Sequence, residues 1–151
     1  MNTLYDNARV LFASGQINWT TDNIKAVVLS PAYTPNISTD LHYSDISSYV
    51  LTGTHPIKTL TTPVTQVGTS PNIIVGALSA DPVTFVALTS NQTIGFIVIF
   101  KDTGSTHDSV PASPSTAPLI CIFDSGYGIG AGTNGYDVQI TWDTTNGILR
   151  L

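Results

Sequence analysis

Residue order and composition predict an all-β protein, an antiparallel β-sandwich or jelly-roll-like barrel with one short N-terminal α-helix. Three observations lead there. Beyond Gly15 the chain is a succession of short apolar runs separated by Pro, Gly, Asn and Asp, without intervening helical segments of any length. Only 10% of the residues are charged against 42% hydrophobic, and the remainder is rich in Thr, Ser, Asn and Gly, which suits pleated strands and turns. Sustained helical spacing occurs once, near the start. A length of 151 residues is expected to form one domain over 1–151, because such a chain buries roughly 70% of its unfolded surface around a single core.

Leu4, Tyr5, Ala8, Leu11 and Phe12 recur at helical spacing. Thr3 with Asp6 imitates a capping box and Gly15 suits a helix stop. The apolar face of this helix is expected to plug one end of a sheet core or to dock on a neighbouring subunit. Residues 23–30, NIKAVVLS, read as a strand, and SPAYTPNISTD reads as a loop because two prolines interrupt it. TDLHYSDISSYV holds one helical turn capped by Thr39 or Asp40. Further strands are predicted at 49–54, 57–65, 72–78, 82–88, 93–101, 118–124, 136–142 and 147–151. The last two are expected to close as a hairpin, with Val138, Ile140 and Trp142 on one face and Asn146-Gly147 as the turn. Segments 101–118 and 124–135, dense in Gly, Ser or Pro and poor in large apolar groups, are expected to be mobile loops that serve contacts or remain loose.

All ten acidic residues are Asp, and the five basic ones, Arg9, Lys25, Lys58, Lys101 and Arg150, lie far apart. Short carboxylates of this kind serve turns and caps. A net charge of -5 without a basic cluster leaves no source of phosphate neutralisation, so no nucleic-acid partner is expected. MNTLYDNARVLF has no basic segment followed by an apolar one, and the longest apolar run, in TIGFIVIFK, is far short of the ~20 residues that span a bilayer. Synthesis in a cytoplasm, no Sec export and no membrane partner are the expectations. The lone Cys121 in PLICIFDSG reads as a small buried hydrophobe. The sequons at Asn18, Asn36 and Asn91 read as chance matches in a Thr-rich chain.

The candidate chemical motifs are incomplete. GYGIGA (126–131) has the letters of a dinucleotide fingerprint but runs into a strand instead of a helix. His42, His55 and His107 lack the spacing of a metal shell. Asp102 with Asp108, or Asp40 with Asp45, offer oxygen ligands without the pattern of a calcium loop. Ser125 in FDSGYG lacks the first glycine and the helix of a nucleophile elbow. The reading is therefore a non-enzyme without cofactors or metal. Tyr33, Tyr43, Tyr49, Tyr127 and Tyr136 lie in or beside loops, where an apolar ring with a polar tip suits protein or sugar contacts, and these five are the candidate contact residues. Their plain alternative is the rim of the core.

One stretch carries more. YDNARVLFASGQINWTTDNIKAVVLSPAYTPNISTD (5–40) runs from an Ala-Arg helix through G-x-I-x-W-x-T-D-x-I-K to an apolar strand and Y-T-P-N with a later T-D. It resembles a recurrent opening in small virion proteins of tailed bacteriophages. YSDI (43–46), DPVTF (81–85), FIVIFKDTG (96–104), PLICIFD (118–124) and VQITWDTTNGILRL (138–151) extend the likeness in order, whereas 50–80 and 105–117 depart from it. The resemblance implies a structural framework, with Trp19 a core anchor, Asp22 a turn or cap residue and Lys25 an outward strand residue. It further implies a capsid cement or decoration protein on the virion exterior, bound to the major capsid protein lattice as a homo-oligomer, with a trimer favoured. Neck, tail or baseplate subunits and a carbohydrate-binding surface module are the competing roles.

Overall fold

The computed structural model describes residues 2–70, 73–104, 107–143 and 147–150. In chain order the elements are β1 (Thr3–Leu4), α1 (Asp6–Ala13), β2 (Asn23–Leu29), α2 (Tyr43–Ile46), β3 (Gly53–His55), β4 (Ile57–Thr59), β5 (Val64–Ser70), β6 (Ile73–Ser79), β7 (Val83–Leu88), β8 (Phe96–Asp102), β9 (Leu119–Phe123), β10 (Val138–Ile140) and β11 (Leu149–Arg150). Single 3-10 turns occupy Ser47–Tyr49 and Pro114–Thr116. The protein is mostly β, and every strand pairing among the described residues is antiparallel. Strands order as β1-β9-β8-β2-β4 in a five-stranded sheet, with three-stranded sheets β10-β7-β3 and β11-β6-β5 beside it.

The five-stranded sheet is covered on both faces. β2 and β8 pair along their whole length, from Asn23 opposite Asp102 to Leu29 opposite Phe96. From Ile24 to Leu29 every residue is buried, so the apolar run of this strand is continuous rather than alternating. Opposed residues share a face, which puts Val27, Val98 and Phe100 on one side and Ala26, Ile99, Cys121 and Phe123 on the other. The first side receives α2, whose Tyr43 ring stands 5.0 Å from that of Phe100. Against the second side lie Tyr127 and Trp142, at 5.3 Å and 6.0 Å from Phe123. A bulge between Ile99 and Phe100 leaves Ile120 out of the β8–β9 ladder. Its carbonyl accepts the Tyr5 N–H at 3.0 Å and so seats the start of α1.

Helix α1 ends as the sequence predicts and begins differently. Gly15 adopts φ +71° and donates to the Phe12 carbonyl, while Gln16 donates to the Leu11 carbonyl, the paired bonds of a glycine-terminated helix. Thr3 is not the cap: it pairs with Ile122 in β1, and Tyr5 holds the N-cap position without a side-chain bond. The Asp6 N–H goes instead to the Ile37 carbonyl, and the Ser38 hydroxyl donates to the Asp6 carboxylate at 2.5 Å. The turn at α2 is likewise capped at His42 rather than Thr39 or Asp40, with the Asp45 carboxylate accepting the Leu41 and His42 N–H groups.

Three strand expectations are revised. The run 57–65 is broken at Thr61 and Thr62, where Thr62 takes φ +50°, and its halves enter different sheets as β4 and β5. The run 49–54 gives a 3-10 turn followed by β3. The closing hairpin does not form: β10 pairs with β7 and β11 with β6, while Asn146 of its expected turn lies outside the described residues. The cause lies at the β6–β7 junction. The Trp142 indole N–H donates to the Asp81 carbonyl at 3.1 Å, and the Trp19 indole N–H donates to the Ser79 carbonyl at 2.9 Å. With Trp142 fixed there, the chain before it follows β7 and the chain after it follows β6. Trp19 is thus the buried anchor that the resemblance implies.

Close backbone approach requires glycine at position 95. At Gly95 a Cβ would lie 2.3 Å from the Pro31 nitrogen, where the Gly95 N–H bonds the Leu29 carbonyl at 2.8 Å. Gly95→Ala is expected to destabilise the fold by about 3 kcal/mol, read as a lower urea midpoint with an unchanged slope.

Candidate contact surface

The five candidate tyrosines divide. Tyr136 is 75% exposed. Tyr49 and Tyr127 are half-buried against the core. Tyr33 and Tyr43, expected as contact residues, are enclosed and belong to the core. The reason is ring packing: Tyr33 lies 5.3 Å from Tyr49 and 5.6 Å from Phe96, and Tyr43 packs tilted against Phe100. Burial pushes the Tyr43 phenol up to about 12. Tyr33 also has a polar task. Its hydroxyl donates to Asp40 at 2.6 Å and accepts from the buried Tyr5 hydroxyl at 3.2 Å, while the Asn36 N–H bonds the same carboxylate. Burial, and for Tyr33 also the Asp40 bond, raise both phenols well above their ordinary value, so each remains a donor. Tyr5, Tyr33 and Asp40 therefore tie the proline loop to the N-terminal end of α1.

Lys25 is the second correction. Expected to point outward from β2, its side chain is 0% exposed and its ammonium lies 2.6 Å from the equally buried Asp102 carboxylate. Asp102 stands opposite Asn23 on β8, diagonal to Lys25 on the same face, so the β2–β8 register brings them together. The ammonium also donates to the Ser109 carbonyl at 3.2 Å, and the second Asp102 oxygen accepts the Gly104 N–H at 3.0 Å. One residue before Ser109, Asp108 pairs with Lys58 of β4 and accepts the Thr59 N–H at 2.7 Å. Two lysines from adjacent strands thus fasten residues 108–109 to the sheet edge, within a segment whose composition suggests a mobile loop. Asp102 and Asp108, considered above as cation ligands, are both committed to lysines. Lys101 faces the other way and bonds Asp22 and the Gln16 carbonyl, both at 2.8 Å. Asp22 also accepts the Asn18 N–H at 2.7 Å, the turn role that the resemblance implies.

The second long loop is tied by backbone. Gly126, Tyr127, Gly128 and Gly130 all have positive φ, so GYGIGA is a coiled left-handed run and not the opening of a helix. Its Gly130 N–H reaches the Ile94 carbonyl at 2.7 Å, and Ile94 N–H returns to the Ala131 carbonyl at 3.0 Å. Nearby, the Thr133 hydroxyl donates to the Thr89 carbonyl at 2.5 Å, and the Gln92 amide clasps Thr52 and Thr89. Ser125 bonds Asn2, and His42 serves the α2 cap. Among the described residues no group of three or more His, Cys, Asp or Glu could hold a metal ion. Cys121 is buried, which pushes its thiol up and out of nucleophilic range at neutral pH.

One grouping has no precursor in the sequence reading. Arg9 of α1 and Arg150 of β11, the only arginines in the chain, line a single cleft of about 380 Å³ with Leu4, Phe123, Tyr127 and Ile148. No spacing could have revealed it, since the two lie at opposite ends of the chain. Beside Tyr49 a second cleft, of about 390 Å³, is lined by uncharged residues including Pro31, Gln92 and Thr93.

These contacts define a mostly β, antiparallel protein whose long loops are fastened to a two-sided core. Comparison with protein families, with curated proteins and with solved structures finds no match to the chain.

Lys25→Met leaves the Asp102 carboxylate buried without its counter-ion and is expected to cost about 3–5 kcal/mol. Lys25→Met with Asp102→Leu should recover much of that loss in the same denaturant titration. A single variant as stable as the parent would remove the pair from its structural role. For Asp108, burial alone would raise the carboxyl, but Lys58 and the Thr59 N–H outweigh it and hold it below its ordinary 3.8. Its stabilisation is full above pH 3.8 and is lost as pH falls through the lower folded value. Asp108→Asn should therefore flatten the acid limb of stability against pH in that window.

Proposed function

We propose that this chain is a structural protein of a tailed-bacteriophage virion, a capsid cement or decoration subunit that binds the assembled major capsid protein lattice from outside. What carries the reading is where the residues of the resemblance fall. Trp19, Asp22 and Lys25 of the opening motif, Tyr33 and Asp40 of the proline loop, Asp81, Lys101 and Asp102 of the middle motifs and Trp142 of the last bond one another or the backbone between them. A shared motif set of this kind specifies a scaffold rather than a reaction centre. The finer architecture belongs to the same proposal: a β-sandwich or jelly-roll-like barrel, in which the smaller sheets flank a five-stranded sheet already buried on both faces.

On this reading the fastened loops are the adhesive. Loops that are already held in place lose less conformational freedom on contact, so more of their interaction energy is available for binding. A subunit with few charges also meets repeated copies without strong mutual repulsion. Binding the lattice and not its free subunits stabilises the shell by mass action, and no chemical step is needed. The subunit acts as a homo-oligomer, with a trimer at a local threefold position favoured by the resemblance. Tyr136, exposed in a loop, favours a second reading as a carbohydrate-binding surface module.

Purified protein mixed with expanded capsids should co-sediment to saturation and raise the temperature at which the shells open. Quantitative mass spectrometry of virions should give a copy number on the scale of the capsid lattice. A copy number on the scale of one neck or tail ring would transfer the protein there, and glycan binding abolished by Tyr136→Ala would favour the second reading.

A further inference from the structure

The sheet edges are unequal. Among the described residues the strands at the edges of the three sheets are β1, β4, β10, β3, β11 and β5. Five of them are two or three residues long, and β4 has its outer Thr59 N–H taken by Asp108. Short or covered edges are how natural sheets avoid pairing with other chains. β5 is seven residues long and pairs with β6 in one uninterrupted register from Val64–Ser79 to Ser70–Ile73. It has no bulge in that register, no proline within it, and no charged residue stands anywhere between Lys58 and Asp81. Val64, at its start, is 42% exposed. On the far side of β6, among the described residues, β11 pairs with Ala77 and Leu78 alone, so residues 68–70 and 73–76 form a ribbon of two strands. A two-stranded ribbon is marginal in water, whereas a further strand completes it.

We propose that the outer edge of β5 is a pairing surface for a second copy of this chain, β5 against β5 in antiparallel register about a two-fold axis. The occupant follows from length and charge. Edge pairing of seven residues needs an edge strand of like length, and among the described residues the one such edge is β5 itself. Two copies, each of net charge -5, approach there through a segment free of charge. The contact is isologous and closes on itself, which sets it apart from an open-ended aggregate. It rests on the sheet edges and not on the capsid reading, and it replaces the trimer favoured there with an even-numbered assembly.

The test is light scattering of the eluting protein over a concentration series, with the double variant Val64→Lys/Thr65→Lys. The parent should show a mass that doubles with concentration, and the variant should stay at half that mass with an unchanged circular dichroism spectrum and unfolding midpoint. Hydrogen exchange should report amides of 64–70 protected in the concentrated parent and not in the variant. A parent that stays monomeric, an odd-numbered assembly, or an even-numbered one indifferent to the two lysines overturns the proposal. Capsid co-sedimentation of the same variant reads the function separately: a variant that has lost its partner copy and still binds shells leaves both readings standing.

Discussion

An ammonium group closed inside an apolar strand needs a carboxylate in one place, and the architecture answers to that requirement. Lys25 meets Asp102 only when β2 and β8 pair as they do. A slip of one residue would turn the lysine to the opposite face of the sheet and leave both charges buried and unmatched. Hydrophobic burial alone tolerates several registers in so uniformly apolar a pair of strands; the ion pair does not. Its contribution is specification of the central ladder more than net stability.

From that ladder the remaining contacts follow outward. The same ammonium reaches the Ser109 carbonyl, so the register of the central strands also decides where the loop after β8 returns. Lys58 holds the neighbouring Asp108, and Lys101, on the other face, fixes the turn before β2. Three of the five basic side chains are therefore spent on intramolecular framing, and the remaining two, Arg9 and Arg150, meet at one cleft. The few charges in this chain sit at positions where chain segments distant in sequence must be joined.

Much of the secondary structure was legible because local chemistry decides it. The Gly15 stop, the continuous apolar run of β2 and the proline loop after it depend on residues within a few positions of one another. What escaped was decided by partners far away. Lys25, which the resemblance implies to be an outward strand residue, is drawn inward only by Asp102 on the neighbouring strand. Tyr33 and Tyr43 look like loop aromatics because burial by Phe96 and Phe100 has no local signature. The terminal hairpin was a sound local inference, overruled when the Trp142 indole found the Asp81 carbonyl. Tyr136 needed no distant partner, and its exposed position agrees with the loop composition around it.

The single thiol adds a property of the whole folded chain. Cys121 lies at the centre of β9, sealed between β8 and β1, in a chain with no second cysteine. The folded state is consequently indifferent to the redox poise of its surroundings, inside a reducing cell or outside it. A thiol reagent can reach that sulfur only when the central sheet parts, so the protein carries its own chemical clock for the opening of its core.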